Sequence, residues 1–173
     1  MRAFEDCMPD RWGRNLMLRA ERSRARDEQR APRTLFEADM LAGVNDEARQ
    51  GALRIWSDAG EALSPVSDGV PRETSIPALL DAADRASRDM NADIRDLLAA
   101  GSSLGGARPK ASIRDEQGCL CIAKFPKADE GALDDVCAWE HVALRLMAEL
   151  GISVPVSRLL RIGPRAVLLM RRF

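Results

Sequence analysis

Apolar positions recur at three- and four-residue spacing along several stretches of the chain, and in others alternate with polar ones. The first spacing predicts helices and the second predicts strands. A helical pattern begins at Asp10-Arg-Trp-Gly-Arg14, with Trp12, Leu16 and Arg19 on one face. Thr34-Leu-Phe-Glu37 reads as a capping box opening a short helix through Leu41, closed by Gly43. Asn45 caps a further turn that Gly51 ends, and residues 52–56 alternate like a short strand. Ser75-Ile-Pro77 opens a longer helix, in which proline is tolerated in the first turn. Leu79, Leu80, Ala83, Ala86 and Met90 share its apolar face, and Ile94, Leu97 and Leu98 repeat the pattern up to Gly101.

Beyond Gly101 the period changes. Residues 111–114 and 119–125 alternate as strands around the turn signal Asp115-Glu-Gln-Gly118, and residues 154–161 and 165–170 form a final hairpin around Gly163-Pro164. Between these pairs, residues 133–150 repeat at helical spacing until Gly151. Val136, Trp139, Ala143, Leu146, Met147 and Leu150 define the apolar stripe of that helix, which predicts its buried face. The expected fold class is α+β: an α-rich N-terminal subdomain over 1–57, a Gly-, Pro- and Ser-rich linker over 58–74, and a small lobe with an antiparallel sheet, one main helix and its leading helix over 75–173. No internal repeat is visible.

Composition narrows the function classes. The chain is 46% hydrophobic and 31% charged, the balance of a globular domain and not of a disordered tail. No apolar run approaches the roughly 20 residues that span a bilayer, and the N-terminus lacks a signal-like apolar stretch, so a cytoplasmic location without membrane contact is expected. Four cysteines (Cys7, Cys119, Cys121, Cys137) show no metal-ligand spacing and read as free thiols. His141 is the only histidine. A net charge of −1 argues against wholesale nucleic-acid binding, although residues 1–33 hold nine arginines against six acids. Arg19, Arg22 and Arg26 fit a solvated helix face, with a DNA-contacting arm as the sharper alternative. Among 26 basic residues only Lys110, Lys124 and Lys127 are lysines, and all three follow the glycine run. A compact ammonium differs from a planar guanidinium fork when a phosphate is met inside a cleft.

The candidate chemistry lies here. Gly101-Ser-Ser-Leu-Gly-Gly-Ala-Arg-Pro-Lys-Ala-Ser112 leads into a strand, a turn, a strand carrying Lys124, and a helix carrying Glu140. This order is how a protein-kinase small lobe holds nucleotide phosphates. Glu140 flanks the apolar stripe, where a carboxylate largely withdrawn from water needs a cation, and Lys124 is the obvious partner. The bland alternative leaves Glu140 on a rim and Lys124 reaching to solvent. A Walker A loop is excluded, because that motif opens a helix and this run opens a strand. Glycines let backbone approach phosphate oxygens, although a plain turn without ligand satisfies the same residues.

The glycine run, the segment Ile122-Ala-Lys-Phe-Pro126 and the pair Trp139-Glu140 together resemble HipA-type serine/threonine kinases, the toxins of bacterial toxin–antitoxin pairs. Pro9-Asp-Arg-Trp-Gly-Arg14 and residues 44–55 are similar to segments of that family's N-terminal subdomain, and residues 155–173 to the strands leading into its adenine-binding hinge. The resemblance implies that Lys124 and Glu140 form the nucleotide-binding pair. It further implies that Leu104, Gly105, Gly106, Ala107 and Lys110 belong to the phosphate-covering loop. Met170, Arg171 and Phe173 would lie at the hinge, and Ser103 would be the autophosphorylated serine. For the intact family it implies ATP with Mg2+, a helix-turn-helix (HipB-like) antitoxin, a translation-related substrate such as a glutamyl-tRNA synthetase, and only indirect contact with nucleic acid.

The chain departs from the family pattern in lacking the opening strands of the N-terminal subdomain, the catalytic and metal-binding aspartates, and the α-helical lobe. The expectation is a kinase fragment that keeps the phosphate-gripping lobe and has no catalytic residue of its own. A non-catalytic module binding an antitoxin or a separate catalytic lobe is the alternative. A small lobe without its partner is expected to expose apolar groups such as Leu168, Leu169, Met170 or Phe173.

Overall fold

The computed structural model describes residues 2–63, 69–88, 97 and 108–172. Helix α1 (Arg11–Asp27) opens on Asp10, whose Oδ1 accepts from the Gly13 N–H at 2.9 Å. That bond satisfies one of the free donors of the first turn. At the far end Gln29 adopts a left-handed backbone (φ 52°), and the Arg30 N–H donates to Ala25 O at 2.8 Å.

Helix α2 (Glu37–Ala42) is capped differently from the sequence expectation. Phe36 is its N-cap residue, and the Phe36 N–H donates to Asp39 Oδ2 at 2.9 Å. The expected Thr34–Glu37 box does not form, because the Glu37 carboxylate pairs with Arg14 of α1 at 2.8 Å. The strand expected over 52–56 is also absent. Only an isolated bridge joins Trp56 to Ala62, and Leu53 and Trp56 remain exposed. Alternation without a core to cover leaves a two-stranded ribbon marginal.

Helix α3 (Ile76–Arg88), led by a 3-10 turn (Glu73–Ser75), buries Ile76, Leu79, Leu80, Ala83 and Ala86, as its spacing predicts. Leu97 is buried too, whereas Met90, Ile94 and Leu98 lie outside the described residues.

Four antiparallel strands follow in the order β1-β2-β4-β3: β1 (Lys110–Arg114), β2 (Leu120–Lys124), β3 (Ser157–Ile162) and β4 (Arg165–Arg171). The β1–β2 turn is held by Asp115, whose Oδ1 accepts from the N–H groups of Gln117 and Cys119 at 3.0 and 2.8 Å. Gly118 there has φ 78°, a conformation that glycine takes without steric cost. Helix α4 (Val136–Glu149) connects β2 to β3 after a 3-10 turn (Ala132–Asp134). The α+β class is as expected.

Because side chains alternate along a strand, the sheet has two faces. Ala111, Ile113, Cys121, Ala123, Phe125, Val167 and Leu169 pack in one buried cluster with Leu16 of α1 and the apolar side of α3. Ala166, Leu168 and Cys137 of α4 form a second, smaller cluster, with Leu144, Leu159 and Met170 against it. The N-terminal segment is fastened to the sheet as well as packed on it. Arg172 donates to Ala48 O at 2.9 Å, and Arg114 pairs with Glu47. Arg49, almost fully buried, donates to Leu41 O at 3.0 Å and Val44 O at 3.2 Å.

Two expectations about exposure are reversed. The apolar stripe of α4 faces solvent: Trp139, Leu146 and Leu150 are 65%, 60% and 78% exposed. The face turned to the sheet carries Cys137 and Leu144. Conversely Leu168 and Leu169, expected at the surface, are buried, because β4 is a central strand covered on both sides. No described helix is long and apolar enough to cross a membrane.

Candidate functional site

Lys124 is the last residue of β2, and its register partners are Lys110 on β1 and Leu168 on β4. Alternation puts Lys124 and Ile122 on the α4 side of the sheet and Ala123 in the opposite core. Helix α4 is positioned over this end by two contacts. Asp135 caps it, accepting from the Ala138 N–H at 2.9 Å, and the Cys137 thiol donates to Lys124 O at 3.3 Å. Glu140, three residues beyond Cys137, stands on the same flank of the helix one turn later. Its carboxylate accepts a hydrogen bond from the Lys124 ammonium.

The expected pair is therefore formed, although less withdrawn from water than the helical spacing predicts. The two side chains are 31% and 34% exposed, because the stripe that Glu140 flanks is itself on the outside. An ammonium held by one carboxylate and still open to solvent keeps donors for an incoming anion.

Lys110 is placed differently from a loop residue. It opens β1, directly across from Lys124, and its side chain is only 8% exposed. Its Nζ lies 3.7 Å from Asp10 Oδ2. Burial pushes the Lys110 ammonium down from its ordinary pKa, and the neighbouring Lys124 adds to this while Asp10 and Glu140 oppose it. Burial likewise pushes the Asp10 carboxyl up, against the Gly13 hydrogen bond and Lys110.

Met170 sits opposite Ile122 and Ser157, half-buried against the Cys137–Leu168 cluster. Arg171 sits opposite Cys121 and so on the other face, where it pairs with Asp115 at 3.1 Å and bonds Gln117. The sheet thus brings Lys124, Glu140, Lys110 and Met170 to one side and turns Arg171 away from it. Ser103, Leu104, Gly105, Gly106, Ala107 and Phe173 lie outside the described residues.

Three neighbours escaped the sequence reading as site residues. His141 Nδ1 lies 3.2 Å from Ser157 Oγ under the same helix. Asp10 had a visible signal, the Pro9–Arg14 motif, which marked a helix start but not a partner for Lys110. Two clefts, of about 380 and 460 Å3, open elsewhere. The first adjoins Asp115, Arg158 and Arg171, and the second Trp12, Arg88 and Lys127; neither has Lys124 or Glu140 on its wall.

The donor set suits phosphate oxygens better than a bare cation. Among the described residues no group of three or more His, Cys, Asp or Glu stands together to hold a metal, and the Glu140 carboxylate is engaged with Lys124. Burial raises the thiols of Cys121 and Cys137 to about 11, which leaves both as packing groups and not nucleophiles.

Residues 102–173 match the family model described as HipA-like C-terminal domain. The matched stretch takes in the whole sheet, α4 and both partners of the Lys124–Glu140 pair, and leaves Asp10 and α1–α3 outside it. No curated protein and no solved structure matches the chain.

Proposed function

We propose that this chain grips the phosphates of ATP, as the small lobe of a HipA-like serine/threonine kinase. The observation that carries the reading is the Lys124–Glu140 pair, formed between the end of a central strand and the helix that follows it. In this arrangement Glu140 holds the Lys124 side chain in one direction, and the ammonium meets the α- and β-phosphate oxygens. Lys110 stands directly across from Lys124 on β1, with Asp10 at its own ammonium. Mg2+ bound together with the nucleotide would supply charge neutralisation at its phosphates.

Phosphoryl transfer also needs a base at the acceptor hydroxyl and carboxylates on the metal. The Lys124–Glu140 pair supplies neither; its part is to hold the nucleotide. By the same reading a helix-turn-helix antitoxin is its binding partner, and a translation-related protein, such as a glutamyl-tRNA synthetase, is the substrate class of the working kinase. A second reading, a non-catalytic interaction module, draws on the solvent-facing stripe of α4 with Trp139, Leu146 and Leu150. Exposed apolar surface of that kind marks contact sites.

Calorimetric titration with Mg-ATP separates the two. Wild type is expected to bind, and Lys124→Ala to lose at least about tenfold in affinity, equivalent to roughly 1.4 kcal/mol. Glu140→Gln should fall between them. Equal binding by wild type and Lys124→Ala, or no binding by either, would overturn the nucleotide reading and leave the interaction module.

A further inference from the structure

Two lysines face each other across β1 and β2, and the structure gives each its own carboxylate. Lys110 and Lys124 are register partners, so their Cβ atoms stand about 5 Å apart and their like charges repel. Glu140 answers Lys124 from α4, and Asp10 answers Lys110 from the opposite end of the chain. The second pair is incomplete. At 3.7 Å it is too long for a hydrogen bond, and Asp10 Oδ2 is buried without any hydrogen-bond partner. Both side chains are nearly buried, at 8% and 13% exposure. The other carboxylate oxygen of Asp10 is committed to capping α1 through Gly13. Asp10 therefore spans two structures: the first turn of α1 and the lysine end of the sheet.

We infer that Asp10 is a positioning residue for the phosphate grip: by balancing Lys110, it keeps the Lys124 ammonium committed to Glu140. Without the Asp10 charge, two adjacent ammonium groups compete for the single carboxylate of Glu140, and Lys124 loses its fixed direction. What the grip holds rests on the nucleotide reading above; how the grip is held rests on this geometry alone.

The substitution Asp10→Asn isolates the charge, because asparagine caps a helix about as well as aspartate does. With only three lysines in the chain, their side-chain 13Cε NMR signals can be followed individually. Asp10→Asn is expected to shift the signals of both Lys110 and Lys124, and to weaken Mg-ATP binding about threefold or more. In a Lys110→Met background the same substitution should move neither Lys124 nor the affinity.

A Lys124 signal that stays in place in Asp10→Asn overturns the inference, and this single variant suffices should Lys110→Met fail to fold. An equal shift with and without Lys110 overturns it too, since Asp10 would then act by another route. If the lysine signals behave as expected while wild type binds no Mg-ATP, the positioning role stands and the nucleotide reading falls.

Discussion

The two faces of the sheet are built from the same four strands and put to different uses. On the α1/α3 side, Ala111, Ile113, Cys121, Ala123, Phe125, Val167 and Leu169 are all buried, and two helices contribute a matching apolar surface. On the α4 side, Leu168 and Cys137 hold a smaller apolar cluster, and the strand ends carry Lys110 and Lys124. One face supplies most of the apolar burial that drives folding. The other gives up part of that burial to keep two ammonium groups and their carboxylates in place. The Lys124–Glu140 pair stays about a third exposed on this thinner side, so it is open to solvent where the other face is closed.

The sharpest way to break this comparison is to damage the thick side. Phe125→Ala removes a fully buried ring and is expected to cost about 3–5 kcal/mol, read from urea unfolding. A cost near zero would show that the core does not depend on this face. The thick side is also fastened by Glu21 of α1, whose carboxyl is held down at about 2 by hydrogen bonds from Arg30 and from the Arg33 N–H. A depressed carboxyl contributes stability above its ordinary value of 4.5 and loses it as the pH falls towards 2. Wild type should therefore lead Glu21→Gln in urea midpoint at pH 7, and the gap should close between about pH 4.5 and 2.

On the thin side the expected effects on stability shrink. Lys124→Met breaks a pair that is about a third exposed, so it should change stability by no more than about 1 kcal/mol while abolishing the nucleotide response. A larger loss would mean that the pair is structural. Smallest of all is Leu146→Gln on the outer face of α4, expected within about 0.5 kcal/mol of wild type. A clear loss of stability there would show that the stripe is covered in solution.

Much of this was legible before any coordinates. The caps and periods placed α1, α3, α4 and all four strands close to where they lie, and the order strand–lysine–helix–glutamate pointed to the pair that forms. The failures have physical reasons. Residues 52–56 alternate as a strand does, but nothing covers them. Thr34 and Glu37 have capping-box spacing, but Arg14 claims the carboxylate from another helix. Arg171 lies one residue beyond Met170, which in a strand turns it to the opposite face.

The sequence by itself determined which residues share a face: Val136, Trp139, Ala143, Leu146, Met147 and Leu150 on one side of α4, Lys124 with Ile122 on one side of β2. Spacing along a helix or strand is a local property, fixed by backbone geometry. Only the tertiary structure decided which of those faces meets protein and which meets water, since that depends on what packs opposite. It alone turned the apolar stripe of α4 outward, buried Leu168 and Leu169, and brought Asp10 from the first helix to the side of Lys110.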